Sequence, residues 1–467
     1  MDLQHFLQGT PVELPQMLEA RERRVWLQQA ILQKYPVTLV SFTLNIAGPI
    51  KVFPLAVRSY EEGLELIRCQ CKAWGLPIVH TQEIRESSGF ERFLSVDAPA
   101  LKVKEILSQL EGQISLGRLF DIDVLDTDGS KLSRTQLGLP ERTCLVCGRP
   151  AFECSRARNH SLDDILRQSV SIMWDYFAHR YAVKVSTAAS RALLYEVLAT
   201  PKPGLVDKNN SGAHRDMDIA TFETSAVTLL PYLRQFVLYG VDHCNQDPKR
   251  FLYDLRPIGI QAEIDMLRAT GGVNTHKGIL FSMGILLCAL GVCYGREELP
   301  GRERLRQLST SISAPIKAEL DSITSDTARS HGEQLYLEHG VLGARGEAVN
   351  GFPGLFETAL PMMDALLEGG ETLNDAGVVT LLHIMAEIQD TNIISRSSYS
   401  RMAELQAQLR DLLSRHLSPA QLVEESGSLD RRFIEENISP GGSADLLALA
   451  YLIRFLEDTG LMSKHSV

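Results

Sequence analysis

No charged side chain occurs between residues 278 and 294, and this run constrains the fold more than any other feature of the chain. A helix that is apolar on every side belongs either in a bilayer or at the centre of a large core. Gly278, Gly284 and Gly291 interrupt the run, and it stands alone. With 44% hydrophobic and 22% charged residues the composition is that of an ordinary globular protein, so a buried helix with close glycine contacts is expected. At 467 residues the chain has room for two or three domains and for a core that encloses such a helix.

Lys and Arg number 47 against 58 Asp and Glu, a net charge of −11, which opposes general attraction to nucleic acid or to anionic membrane surfaces. A phosphate-bearing ligand must therefore meet local cations. Residues 1–16 lack a basic segment followed by an apolar one, and a cytoplasmic location is expected. Eight cysteines in so long a chain are too sparse for a disulfide framework, so thiols that are buried or metal-bound are expected.

The texture changes along the chain. Up to about residue 160, helical patterns (11–32, 61–73, 100–111) alternate with strand patterns (38–46, 77–82, 92–96, 118–125), and Asp128-Gly129 marks a hairpin turn. Beyond about residue 180 long helical patterns take over, separated by polar, glycine-rich loops. The expected architecture is multidomain: an α/β domain over residues 1–180, then an all-α domain over 181–467, joined near 160–186 by a helical connector over 162–181.

Gly117 to Asp123 places Asp121 and Asp123 on one face of a strand, roughly 7 Å apart. Paired carboxylates suit Mg²⁺, which in nucleotidyl transfer bridges phosphate oxygens. A glycine ahead of D-x-D is the general nucleotidyltransferase arrangement, although Arg118 stands where a small serine is usual. The pattern alone also describes a solvent-facing strand edge. Cys144, Cys147, Cys154 and His160 could supply four zinc ligands, yet the later spacing fits no standard ribbon, and buried thiols describe them equally.

In the second half, loops carry more ionisable residues than helix connectors need: Lys202 and Asp207; His214, Asp216 and Asp218; Asn274, His276 and Lys277; His331 and Glu333; Arg345 and Glu347; Asp390; Ser443 and Asp445. Residues 271–278 suggest a phosphate cradle at a helix N-terminus, though His276 stands where a Walker A motif needs glycine. Ser443 is placed to cap a helix over 444–456, with Asp445 in its first turn.

On residues 40–49, 117–123 and 144–160 the first half resembles the CitX family of citrate lyase holo-acyl-carrier-protein synthases. Through nearly every loop named above, the second half resembles the CitG family of triphosphoribosyl-dephospho-CoA synthases. The resemblance implies a nucleotidyltransferase-like first domain and a two-step reaction. ATP and 3′-dephospho-CoA would give adenine and triphosphoribosyl-dephospho-CoA; phosphoribosyl-dephospho-CoA would then pass to a serine of the citrate lyase acyl carrier protein, releasing pyrophosphate. It makes Asp121 and Asp123 Mg²⁺ ligands, with Arg118, Arg21, Asn45 and Lys51 near phosphate. It offers Glu333, Glu347, Asp207 and Asp390 as the catalytic acid of the other half. Lys202, Lys277 and Arg345 would hold triphosphate, His214, Asn274, His276 and Ser443 would contact substrate, and Asp216, Asp218 or Asp445 would carry metal. Ser397-Ser398 and Glu141 depart from the CitG and CitX patterns respectively. A scaffold that binds the nucleotide without making it, or an enzyme serving another carrier protein, are the alternatives.

Overall fold

The structure is a computed structural model and describes residues 3–324, 328 and 331–464, without the side chain of residue 331. The chain divides into two compact units, Met1–Phe177 and Ala178–Val467, and the helix Leu162–Leu198 runs through the division. It is longer than the connector expected over 162–181.

The first unit is built on a four-stranded antiparallel sheet of order β2-β3-β1-β4, with β1 at Thr38–Leu44, β2 at Ile78–Glu86, β3 at Gly89–Val96 and β4 at Phe120–Leu125. Period-two alternation decides what each face carries. Val40, Phe42, Leu94, Phe120, Ile122 and Val124 point to one face and are buried with the helices Pro54–Ala73 and Ala100–Gln113. On the other face, Leu39, Phe93 and Leu125 meet Ile31 and Leu32 of the helix Leu14–Lys34. That face is apolar at one end only; toward the other end Thr43 pairs with Asp121 on one side and with Glu91 on the other. Arg118 lies in the 3₁₀ turn Ser115–Leu119 ahead of β4, not on the strand as expected. Gly117 sits so tightly against the Leu110 carbonyl that no Cβ fits, which brings the end of the Ala100–Gln113 helix down onto the start of β4.

The second unit is all-helical among the described residues, and the uncharged run forms the helix Lys277–Gly295 at its centre. From Ile279 to Cys293 nearly every side chain is buried within the unit's single large core. The glycines explain the contact with the helix Ile219–Asp242. A Cβ at Gly291 would collide with the Val237 carbonyl, one at Gly240 with the Cys288 carbonyl, and Gly284 lies against the Phe236 ring. Close backbone approach of two apolar helices thus takes the place of a bilayer.

Candidate functional sites

In the first unit a cavity of about 150 Å³ opens on the polar end of the sheet, between the Leu14–Lys34 helix and residues 44–52. Arg21, Arg24, Asn45, Lys51, Glu91 and Asp121 line it. Arg24 donates to Glu91 Oε1 at 2.5 and 3.0 Å, while Glu91 Oε2 is buried with no hydrogen-bond partner among the described residues. Asp121 has no hydrogen-bond or ion-pair partner for its side chain among the described residues. Burial, reinforced by the charge of Asp123, holds its carboxyl above the ordinary value. Asp123 shares the strand face but is engaged by Lys131 at 2.6 Å. Lys51 donates to the Ile46 carbonyl at 2.5 Å, and burial together with Arg21 lowers its pKa. Arg118 does not line this cavity; it donates to the Thr143 and Cys144 carbonyls, both at 3.2 Å. Glu91 and Arg24 escaped sequence reasoning, because Glu91 shares the cavity with Asp121 only through pairing across β1, and Arg24 only through packing of the Leu14–Lys34 helix on the sheet.

In the second unit two adjoining cavities, of about 180 and 720 Å³, share Asn274, Lys277, Gly278, Asn392 and Asp445 in their walls and form one cleft. The larger part takes in Glu333, Arg345, Glu347 and Asp390, and the smaller takes in Lys202, His214 and His276. Most of the dispersed polar loops therefore converge on one place.

Their chemical states differ. Glu347 accepts from the Gly354 N–H at 3.0 Å through Oε2, and its other oxygen has no partner among the described residues. Burial, opposed by that bond and assisted by Glu357, pushes its pKa up to about 7. Asp445 carries no hydrogen bond on its side chain among the described residues; burial and the nearby charges of Glu196 and Asp390 push its pKa well up. Gly278 admits Asp445, since a Cβ there would collide with Oδ2. Glu333 pairs with Arg345 at 3.3 Å, and Lys277, the first residue of its helix, pairs with Glu263.

His276 is wholly buried, and burial, then the charge of Lys202, lowers its pKa to about 3. Thr275 Oγ1 donates to Ser225 Oγ at 2.7 Å, so the serine hydroxyl is left to donate to His276 Nδ1, also at 2.7 Å. That assigns the proton to Nε2, a buried atom with no partner among the described residues. His214 is likewise held neutral by burial and by Arg396, whose Nη2 donates to Nδ1 at 3.1 Å; Nε2 faces Ser439 Oγ at 2.9 Å. Arg396 and Ser439 also line the cleft, Ser439 from the polar loop that carries Ser443.

Several expected site residues are also engaged in holding the fold together. Asp390 caps the helix Thr391–Arg396 and accepts four hydrogen bonds, which leaves no lone pair for a substrate proton. Asp207 accepts from the N–H groups of Lys202, Asn209 and Asn210 and shapes its own loop. Asp218 caps the helix Ile219–Asp242 by a reciprocal exchange with Thr221, and neither it nor the exposed Asp216 lines the cleft. The Lys202 ammonium is buried against Glu196. Ser443 caps nothing: the helix begins at Gly441, the serine lies inside it and donates to Asp390, and Asp445 falls beyond the first turn.

The family described as CitX, apo-citrate lyase phosphoribosyl-dephospho-CoA transferase, matches residues 12–176. The family described as CitG, ATP:dephospho-CoA triphosphoribosyl transferase, matches residues 182–464. Protein CitXG of Haemophilus influenzae is 35% identical over 465 residues, covering 96% of this chain and 98% of its own. Protein CitXG of Leuconostoc mesenteroides subsp. cremoris is 32% identical over 474 residues, covering 97% and 98%. The probable 2-(5''-triphosphoribosyl)-3'-dephosphocoenzyme-A synthase of Pectobacterium carotovorum is 42% identical over 273 residues, 58% of this chain and 88% of its own. Both matched families are transferases, which places the chain in that class of enzyme. The chain belongs to the fused CitX–CitG family.

Proposed function

We propose that the second unit joins ATP to 3′-dephospho-CoA and that the first attaches the product to the acyl carrier protein of citrate lyase. In the first step the dephospho-CoA ribose 2′-hydroxyl attacks C1′ of the ATP ribose. The C1′–N9 bond breaks, adenine leaves, and the hydroxyl proton must go to a base. The single observation that carries the reading is Glu347, held near neutrality in a cleft whose walls also present Lys277 and Arg345. A carboxylate with a pKa close to the working pH is suited to take that proton. Its negative charge also suits the cationic ribose that forms as the base departs. Lys277 and Arg345 neutralise the triphosphate, and Asp445 at the junction of the two cavities is the acid placed to hold a divalent cation.

In the second step the serine hydroxyl of the carrier protein attacks the α-phosphorus of the triphosphoribosyl group, and pyrophosphate leaves. We assign this step to the cavity of Asp121 and Glu91, on a nucleotidyltransferase-like sheet. Two carboxylates, each with an oxygen unpartnered among the described residues, line the cavity with Arg21, Arg24 and Lys51 and fit a Mg²⁺–triphosphate group. Mg²⁺, when bound there, supplies charge neutralisation on the phosphates. Arg21 and Lys51 orient the same oxygens.

The test is chromatographic detection of free adenine from Mg²⁺-ATP with and without 3′-dephospho-CoA, followed by transfer to apo carrier protein. Adenine that depends on dephospho-CoA, with transfer lost in Asp121→Asn and adenine release intact, is the expected result. Binding of ATP with no adenine from folded protein would make the second unit a scaffold and sink the proposal.

A further inference from the structure

We propose that Cys144, Cys147, Cys154 and His160 form a tetrahedral zinc site that holds residues 142–160 against the approach to β4. One ligand atom from each of the four lies within 4.8 Å of every other. Cys147 Sγ is 3.4 Å from Cys154 Sγ and 3.2 Å from His160 Nε2. Zinc bonds of roughly 2.3 Å to sulfur and 2.0–2.1 Å to nitrogen require tetrahedral ligand atoms on the order of 3.5–3.8 Å apart. The four side chains are therefore gathered to about the size of one ion. A sulfur–sulfur separation of 3.4 Å is well beyond a disulfide of roughly 2.05 Å.

The backbone supports the same reading. Gly148 follows Cys147 with φ of 73°, and Cys144 N–H donates to the Arg149 carbonyl at 2.6 Å. Together they close a tight knuckle around the first two ligands. Asn159 Nδ2 points toward Cys154 Sγ at 3.9 Å. Zn²⁺ would displace the three thiol protons, and three thiolates with a neutral imidazole leave the site with a charge of about −1, which Arg149, Arg156 and Arg158 in the same segment offset. All four protein positions are filled, so the site is structural and has no open position for water activation.

Its reach is toward the carboxylate cavity. Arg118, in the turn before β4, donates to the carbonyls of Thr143 and Cys144, and Arg142 binds Glu111 at 2.5 Å. The charge of Arg142 is also felt at Asp121. Pinning the knuckle thus fixes two arginines beside the strand that carries Asp121.

The experiment uses the full chain, purified under reducing conditions, desalted after exposure to zinc sulfate, and analysed for metal by mass spectrometry. About one zinc per chain is expected, with more than half lost in Cys154→Ser and in His160→Ala. His160→Cys and the distant Cys69→Ser should keep it. Should the variants fold poorly, Co²⁺ added to the zinc-stripped wild type gives the independent reading, since three thiolates produce intense cobalt–sulfur charge-transfer absorption. Wild-type zinc at background, undiminished zinc in Cys154→Ser, or a cobalt spectrum without thiolate bands would each overturn the proposal.

Discussion

Asp390 Oδ2 accepts both the backbone N–H and the hydroxyl of Ser443, each at 2.8 Å, while Oδ1 accepts from the N–H groups of Asn392 and Ile393. One carboxylate thereby ties the first turns of two helices together beside the cleft. Asp390→Ala leaves several buried donors unsatisfied, at roughly 1–3 kcal/mol each. Denaturant titration should show a loss of at least about 3 kcal/mol, with adenine release falling because the cleft wall loosens. Ser443→Ala removes only a hydroxyl and should cost about 1 kcal/mol. Wild-type stability in Asp390→Ala would rule out the tie.

Glu347 should govern the pH profile of adenine release. With a pKa near 7 in the folded enzyme, the base is active when deprotonated, so kcat should rise as pH increases through about 7. Glu347→Gln should lower kcat by roughly 10²–10⁴-fold and abolish that limb, with little change in KM for ATP. Stability runs the other way. The carboxyl pKa is raised from 4.5 in the unfolded chain to about 7, so the folded state holds the proton more tightly, and the stability this contributes is lost as pH rises from 4.5 through 7. Glu347→Gln is therefore expected to be more stable than the wild type at pH 8, by up to about 3 kcal/mol. A variant with an unchanged pH profile would remove Glu347 from the chemistry.

Lys202 and Glu196 make a buried pair, their side chains 1% and 8% exposed. Removing one partner strands the other's charge, so Lys202→Met alone should cost about 3–5 kcal/mol. The double variant Lys202→Met with Glu196→Leu should recover most of that in thermal unfolding. A recovered fold with normal ATP affinity would show that Lys202 serves the core; a recovered fold with ATP affinity lost would return it to the triphosphate.

Lys277 begins the central helix and is held by Glu263 at the cleft mouth. An ammonium at a helix N-terminus is unfavourable there unless an anion joins it. Lys277→Ala should raise KM for ATP about tenfold, a loss of roughly 1.4 kcal/mol, while leaving kcat within a few-fold. Glu263→Gln should leave KM unchanged or lower it. An ATP dependence that ignores Lys277 would place the triphosphate elsewhere.

Glu91 should matter to carrier-protein modification although no motif marks it. Glu91→Gln keeps the acceptor for Arg24 but removes a negative charge from the cavity that Asp121 also lines, and transfer should need more Mg²⁺ to reach half its rate. Adenine release should be unaffected. Unaltered Mg²⁺ dependence in both Glu91→Gln and Asp121→Asn would argue against a metal in this cavity.

Much of this was legible in the chain. The order of an α/β part and an all-helical part, the burial of residues 278–294 and the shared face of Asp121 and Asp123 all follow from local periodicity, which the backbone enforces residue by residue. The density of ionisable residues in the loops of the second half is likewise legible, whereas their gathering into one cleft is not. Arg118 was misplaced because its strand-like neighbours conceal a 3₁₀ turn dictated by Gly117 packing on Leu110. Ser443 was misread because its pattern resembles a cap, while the helix starts two residues earlier.

By itself, then, the sequence determined which residues can share a face and which segments must be buried, since both depend on periods of 2 and 3.6 and on apolar content. Which acids remain available depends on contacts between segments distant in the chain. Asp390 accepts three N–H groups and the Ser443 hydroxyl, Asp207 accepts three N–H groups, Lys202 is matched by Glu196, and Glu91 joins Asp121 across Thr43. A carboxylate's chemistry is set by how many donors surround it and how much water is excluded. Those donors come from segments as far apart as residues 390 and 443, a separation no local pattern encodes.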